Sequence, residues 1–130
     1  MVDAVTIFDY LHANGMNPIE EFLRESIQAN ERTRLLAKIQ ALRSSGYSIL
    51  GGNMLTDTRQ RHVKEIRVNG NVAVRMLLCR GPVDGNKEAT LLIGAFERDN
   101  VYVPKNAPEI AADRRKEVAK DPDRRRTIRQ

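Results

Sequence analysis

Residues 64–80, KEIRVNGNVAVRMLLCR, decide the fold, because apolar and polar residues alternate on both sides of Asn69-Gly70-Asn71. This pattern predicts a β-hairpin, and a three-residue loop at these positions sorts the side chains into two distinct faces. A two-residue loop would instead mix Arg67 into the apolar face. The face directed towards the helices carries Ile66, Val68, Val72, Val74, Met76 and Leu78. The other face, which we expect to be exposed, carries Glu65, Arg67, Arg75, Leu77 and Cys79, with Glu65 directly across from Arg75.

A third apolar run extends the hairpin into a sheet. Residues 63–68, 72–79 and 89–96 are rich in apolar residues and are joined by segments rich in turn formers. They predict an antiparallel meander of three strands. Residues 4–11 are typical of a short strand or turn segment.

Two amphipathic segments before the meander predict a helical hairpin. Asn17 and Pro18 are the N-cap and first residue of one helix. Its apolar stripe is Ile19, Phe22, Leu23 and Ile27. A second helix over residues 31–44 presents Leu35, Ile39 and Leu42, with Leu36 beside them, and ends at Gly46.

The fold class that follows is α+β, with the helical hairpin packed on one face of the meander. A C-terminal helix is expected after the meander, and Pro122 ends it. Residues 121–130 are expected to form a disordered basic tail, because they can bury little apolar surface. Residues 1–130 are interpreted as a single domain.

Charge is unevenly distributed along the chain, whose formal net charge is +5. Residues 1–31 hold six acids and one base, residues 59–80 hold six bases and one acid, and residues 105–130 hold nine bases and five acids. A basic hairpin and tail indicate an anionic partner, of which a nucleic acid is the simplest. The alternative is a solvated basic surface with no partner.

Several other classes of protein are disfavoured. No apolar run approaches the roughly 18 residues of a membrane span, and the first residues hold acids where a signal peptide has a basic start. Cys79, the single cysteine, lies in a strand run and is expected to be a small buried hydrophobe. His12 and His62 are the only histidines, and no cluster has metal-ligand spacing. We therefore expect a cytoplasmic protein that uses no metal and no cofactor.

Arg67 and Arg75 on one rigid sheet face are candidates for a phosphate clamp, because each guanidinium offers a planar fork of donors to phosphate oxygens. The alternative is an ordinary ion pair with Glu65. Cleavage of RNA requires no metal, since the 2′-hydroxyl of the substrate can attack the adjacent phosphorus. Arginines then stabilise the developing charge, and a Tyr, His or Lys moves protons, for which His62 is one candidate.

Four segments, in this order, resemble the RelE/HigB-like toxin superfamily, in the phage-derived, host-inhibition branch of type II toxin–antitoxin systems. Glu65-Ile66-Arg67 corresponds to the Glu-Leu-Arg segment of that branch, and Arg75 to the arginine of the next strand. FERDNVYVP, residues 96–104, has the spacing of its F-x-K-K-x-x-K-x-P segment. Glu109-Ile110 and Arg114-Arg115 match its C-terminal element. The likeness covers about residues 15–115.

The resemblance implies a small β-sheet fold with N-terminal helices and the activity of a ribosome-dependent mRNA endoribonuclease. It also implies a cognate antitoxin, often a helix-turn-helix DNA-binding protein. Arg67 and Arg75 take the phosphate-clamp role, and Arg98 takes the place of the first lysine of the family segment. The chain departs from the family at Asp99 and Tyr102, which replace the second and third lysines.

These departures leave alternatives open. Asp99 either opposes RNA binding or accepts the proton of the 2′-hydroxyl, and Tyr102 stacks on a base, acts as general acid or covers the core. The basic residues expected to bind RNA are Arg59, Arg61, His62, Lys64, Arg80 and Lys105. The expected partners are mRNA on the ribosome and the antitoxin. The other functions considered are a non-catalytic RNA- or host-protein-binding module of phage origin and an accessory protein with an incidental basic surface.

Overall fold

The computed structural model of the protein describes residues 4–46, 55–125 and 127–129. The fold is α+β, as the sequence predicts. Within these ranges it consists of three helices and a mixed, mostly antiparallel sheet of seven strands.

The sheet is built on the predicted meander. Its strands are β1 (Thr6–Asp9), β2 (Leu55–Asp57), β3 (Lys64–Asn69), β4 (Ala73–Arg80), β5 (Glu88–Arg98), β6 (Val101–Val103) and β7 (Thr127–Arg129). They pair in the order β2-β3-β4-β5-β1-β7, and β6 pairs with the end of β5. β3, β4 and β5 are antiparallel neighbours, which confirms the meander. β1 is parallel to β5 and antiparallel to β7.

The helices begin and end close to their sequence signals. They are α1 (Pro18–Glu21), continued by a π-helical segment (Phe22–Ser26), then α2 (Ala29–Ser45) and α3 (Ala107–Lys120). The Asn17 side chain accepts a hydrogen bond of 2.9 Å from the Glu20 N–H, so its predicted N-cap role is confirmed. Gly46 follows α2 with φ of +67°, a left-handed value that favours glycine.

One face of the sheet packs against α1 and α2 and forms the first core. The hairpin residues buried there are Ile66, Val68, Val74, Met76 and Leu78, as the hairpin pattern predicts. They cluster with the apolar stripes of the helical segments, Ile19, Phe22, Leu23, Ile27, Leu35, Ile39 and Leu42. Val72 is half-buried in the hairpin loop.

The opposite face is covered as well, so the expectation that it is exposed is wrong. α3 packs on this face through Ala107 and Ala111. The strand residues of this second core include Leu77, Cys79, Leu92, Ile93 and Ala95. Residues 74–79 of β4 are all buried. A strand that is buried on both sides is apolar at successive positions, which explains Leu77 and Cys79.

The hairpin loop has three residues, as expected, but they are residues 70–72. Asn69 pairs with Ala73, so Arg67 and not Glu65 lies directly across from Arg75. The faces are unchanged, because the pairing differs from the predicted register by two positions and side chains alternate with a period of two. Gly70 packs tightly in this loop, since a Cβ there would lie 3.1 Å from Cδ of Glu31.

The C-terminal segment 121–130 differs from the disordered tail that its composition predicts. Its described residues form a 3₁₀ turn (Pro122–Arg124) and β7. Arg129 on β7 is hydrogen-bonded to the buried carboxylate of Asp9 and, at 2.7 Å, to Glu20. Arg125 forms an ion pair of 2.6 Å with Glu88. Acids distant in the sequence thus order this basic segment.

Gly94 on β5 lies directly under the Phe22 ring, and replacing it tests how closely α1 and its π-helical extension pack on the sheet. A Cβ at position 94 would lie 2.2 Å from Cδ2 of Phe22. Gly94→Ala is therefore expected to lower the free energy of unfolding by about 3 kcal/mol, measured by urea denaturation. Gly85→Ala, where a Cβ meets nothing within 4 Å, is the control. Equal stability of the two variants would contradict this packing.

Candidate nucleic-acid interface

Arg67 and Arg75 face each other on β3 and β4, where both meet the carboxylate of Glu65. Glu65 is fully buried and Arg75 is 4% exposed, so the prediction that both arginines lie on an open face is wrong for Arg75. The Glu65 carboxylate accepts a hydrogen bond from Arg67 at 2.8 Å and lies 3.3 Å from Nε of Arg75. Glu97 approaches the same Arg75 guanidinium at 3.2 Å. Two acids therefore balance the charge of Arg75.

Tyr102 on β6 completes this group, which we call the Glu65 cluster (Glu65, Arg67, Arg75, Glu97 and Tyr102). The Tyr102 hydroxyl donates a hydrogen bond to the Glu65 carboxylate. Burial and this hydrogen bond raise the pKa of Tyr102 above its ordinary value, so the hydroxyl keeps its proton. The ring also packs against the second core. The arrangement combines the predicted core-covering role with a hydrogen-bonding role for the hydroxyl.

The other two residues predicted to take part in catalysis lie apart from the Glu65 cluster. Arg98 is exposed and lines a cavity on the α1–α2 side of the sheet, together with Phe96. Asp99 and Asn100 have φ of +51° and +65° and form the two-residue turn between β5 and β6. Such a turn favours Asp and Asn because both tolerate positive φ. Asp99 therefore has a structural reason to be present.

Two of the predicted RNA-binding residues, Arg59 and Lys64, form ion pairs with acidic residues. Arg59 binds Glu109 through two hydrogen bonds of 2.8 and 2.6 Å and also donates to the carbonyl of Lys105. The hydrogen bonds that Glu109 accepts from Arg59 and Gln60 lower its pKa to about 2. Lys64 forms an ion pair with Asp57. Arg61 and Lys105, two further residues of the predicted set, are exposed.

His62, Lys64 and Arg80 come together in a cleft of about 440 Å³, which we call the cationic cleft. Its lining is completed by Pro82, Gly85, Asn86 and Arg115. β3 begins at Lys64 and β4 ends at Arg80, so antiparallel pairing brings the two to one end of the sheet. Arg115 reaches the same place from α3. No acidic side chain belongs to the lining among the described residues.

Arg115 also lines the cationic cleft, but the sequence did not predict that it lies beside Lys64 and Arg80. Its Nε is buried and has no hydrogen-bond partner among the described residues. The available signal was helical spacing, since Ala107, Ala111 and Val118 are among the buried positions of α3 and Arg115 lies in the same stripe. A cation in the stripe that packs on the sheet indicates a buried charge or a binding site.

Other reactive groups are scarce. Burial raises the pKa of the Cys79 thiol to about 12, which agrees with the prediction of a small buried hydrophobe. In the ranges that the structure describes, no group of three or more His, Cys, Asp or Glu side chains is placed to hold a metal ion. None of the described helices has the length and apolarity required to cross a bilayer.

Comparisons of this chain with protein-family models, with curated proteins and with solved structures find no match. The RelE/HigB-like resemblance therefore stays a prediction that rests on the sequence segments alone.

Proposed function

We propose that the protein binds RNA and holds its phosphate groups in the cationic cleft. The observation that carries this proposal is the meeting of Lys64, Arg80 and Arg115 in one cleft, since the described lining has no acid and Asp57, the ion-pair partner of Lys64, is not part of that lining. A buried N–H without a partner costs about 1–3 kcal/mol, and the Nε of Arg115 is such a group. If the Arg115 side chain turns so that this N–H faces the cleft, a phosphate oxygen would supply the missing acceptor and a matching negative charge.

The surroundings of the cleft support a polyanion over a single small anion. Arg61 is exposed next to His62, and the chain as a whole carries a formal net charge of +5. Repeated phosphates along a strand reach several such cations at once, and this term dominates nucleic-acid affinity. The choice of RNA among polyanions comes from the sequence resemblance.

The narrower form of the proposal is that the protein is the toxin of a type II toxin–antitoxin system. It would be a ribosome-dependent mRNA endoribonuclease with a RelE-like arrangement, including the helical hairpin, and would act in the cytoplasm. A cognate antitoxin, of the helix-turn-helix DNA-binding kind, would neutralise it. Arg67 is the exposed member of the Glu65 cluster and would contact the phosphate. Arg75, being buried, would position Glu65 and not touch the RNA.

A second candidate function is an RNA-binding module that does not cleave. The burial of Arg75 between two carboxylates favours it, because a guanidinium neutralised by Glu65 and Glu97 offers little charge to a phosphate. The positions of Arg98 on the other side of the sheet and Asp99 in a turn favour it as well. Both candidates share the cationic cleft.

Binding is tested by replacing Arg115 and measuring affinity for a short single-stranded RNA over a range of salt concentrations. Arg115→Gln is expected to weaken binding and to reduce the slope of log K against log salt by about 0.7, the contribution of one phosphate contact. Lys116→Gln removes the same charge from an exposed neighbour that is not part of the cleft lining. A Lys116→Gln loss as large as that of Arg115→Gln would indicate unspecific attraction and contradict a site at the cleft.

Cleavage is tested by controlled expression in bacteria with mapping of mRNA 5′ ends. The endoribonuclease proposal requires that the wild-type chain arrests growth and produces new 5′ ends, and that Arg67→Ala produces neither. Arg24→Ala removes an exposed arginine on another element and serves as the control. RNA binding without new 5′ ends would exclude the endoribonuclease and support the non-cleaving RNA-binding module. Absence of both binding and growth arrest would leave only an accessory protein with a basic surface.

A further inference from the structure

Glu31, in the first turn of α2, is a buried carboxylate that forms no ion pair with any residue that the structure describes. Its side chain is 1% exposed, and neither carboxylate oxygen has a hydrogen-bond partner among the described residues. Burying an ionised carboxylate in this way costs free energy unless something pairs with it. No contact of the Glu65 cluster or of the cationic cleft explains this residue.

The structure of α2 itself does not account for Glu31. An acid three residues after the N-cap commonly accepts the N–H of the N-cap residue, which here is Gln28. Glu31 makes no such hydrogen bond. The nearby arginines of α2 are directed elsewhere, since Arg32 and Arg34 donate to backbone carbonyls.

Glu31 lines a cavity of about 310 Å³ between α2 and the hairpin. Its lining also includes an apolar part, formed by Ile27, Val72, Val74 and Phe96, and the polar residues Ser26, Gln28 and Arg98. Small-molecule sites of roughly 300–1,000 Å³ are mostly apolar with a few polar groups that fix orientation. This cavity lies at the small end of that range, as is suitable for a single base.

We infer that this cavity, the Glu31 cavity, binds a guanine base. A carboxylate with two unused oxygens pairs best with two adjacent N–H donors. Guanine presents such a pair, N1–H and the N2 amino group, on its Watson–Crick edge. Adenine and cytosine each place a ring acceptor beside their amino group, and uracil flanks its one N–H with two carbonyls. The apolar part of the lining receives the base plane, with Phe96 available for stacking.

A buried carboxylate also attracts cationic ligands, and Arg98 is the residue that disfavours a cation and favours guanine in this cavity. An amine or guanidinium ligand would meet the positive charge of Arg98 in the same cavity. A guanine nucleotide instead brings donors to Glu31 and a phosphate to Arg98. The charge pattern of the lining therefore favours a neutral base that carries an anionic group.

Binding requires a small rearrangement, because the oxygens of Glu31 are covered in the free chain. The side chain has to turn further into the cavity that it lines. Gly70 lies against this side chain, since a Cβ there would be 3.1 Å from its Cδ. The inference rests on the proposed function in one respect only, which is that the guanine bound in the cell would belong to an RNA.

The test is isothermal titration calorimetry of the full chain with GMP and with AMP. The two ligands share sugar and phosphate, so their difference reports the base alone, even if the cationic cleft also binds phosphate. GMP is expected to bind about tenfold tighter than AMP or more, as expected for hydrogen bonds to a charged acceptor. IMP, which lacks the N2 amino group, is expected to lose most of that preference.

Glu31→Gln is expected to abolish the preference for GMP, whereas Glu25→Gln, an exposed acid of the preceding segment, is expected to keep it. If Glu31→Gln does not fold, the comparison of GMP, AMP and IMP on the wild-type chain still decides. Equal binding of the three nucleotides, or a Glu31→Gln variant that still prefers GMP, overturns the inference. RNA binding without a GMP preference overturns this inference alone. A GMP preference without RNA binding at the cleft overturns the proposed function and leaves the Glu31 cavity.

Discussion

Arg129→Ala is expected to lower the free energy of unfolding by about 3 kcal/mol or more, measured by urea denaturation, because it leaves a buried carboxylate unpaired. Asp9 is fully buried on β1, and the Arg129 guanidinium hydrogen-bonds to both of its oxygens. Asn17 also donates to Asp9, at 2.9 Å, but it carries no charge to balance the carboxylate.

The matched control is Arg24→Ala, which removes an arginine whose side chain is 66% exposed and whose ion pair with Glu25 measures 3.7 Å. A surface pair of this kind contributes about 0–1 kcal/mol, so the control is expected to stay close to the wild type. If Arg129→Ala is as stable as this control, β7 does not hold the sheet edge, and the original prediction of a disordered tail is restored.

Glu65→Ala is expected to be destabilising by about 4 kcal/mol, because it removes a carboxylate that three side chains share. Arg75 is left in the core with Glu97 as its remaining acid, and Arg67 and Tyr102 each lose their hydrogen-bond acceptor. Thermal and urea unfolding of the purified variant measure the loss.

The control for this prediction removes both charges at once. Replacing Glu65 and Arg75 together by Met leaves no unpaired charge between them, and well-packed apolar residues at a buried ion pair are often neutral in stability. The double variant is therefore expected to recover most of the loss of Glu65→Ala. A double variant less stable than the single one would show that the pair itself, and not the unpaired arginine, is the source of the effect.

Local patterns predicted the elements of this fold well. The alternation around Gly70 gave the faces of β3 and β4, and Asn17, Pro18 and Gly46 gave helix ends that the structure confirms. These signals act between residues close in sequence, where capping and the period of a strand leave few alternatives.

The features that the sequence did not predict depend on contacts between residues far apart in the chain. Alternation shows which side chains share a face but not which face another element covers, so α3 over Leu77 and Cys79 was missed. The burial of Arg75 depends on Glu97, which comes from a different strand. The order of the C-terminal segment depends on Asp9, 120 residues before Arg129.

The candidate site was predicted only in part, because it too depends on contacts between residues far apart in the chain. His62, Lys64 and Arg80 were recognised as basic residues, and the pairing of β3 with β4 explains their meeting. Arg115 joins them only because α3 returns across the sheet. Charge patterning therefore indicated an anionic partner without giving the position of its site.

The most direct test of the central claim is a titration of the ¹⁵N-labelled chain with a short single-stranded RNA, followed by the shifts of its backbone amide signals. The account predicts that the largest shifts occur at the cationic cleft, at His62, Lys64, Arg80, Gly85 and Asn86. Shifts confined to the outer surface of α2, or no shift in the presence of excess RNA, would contradict it.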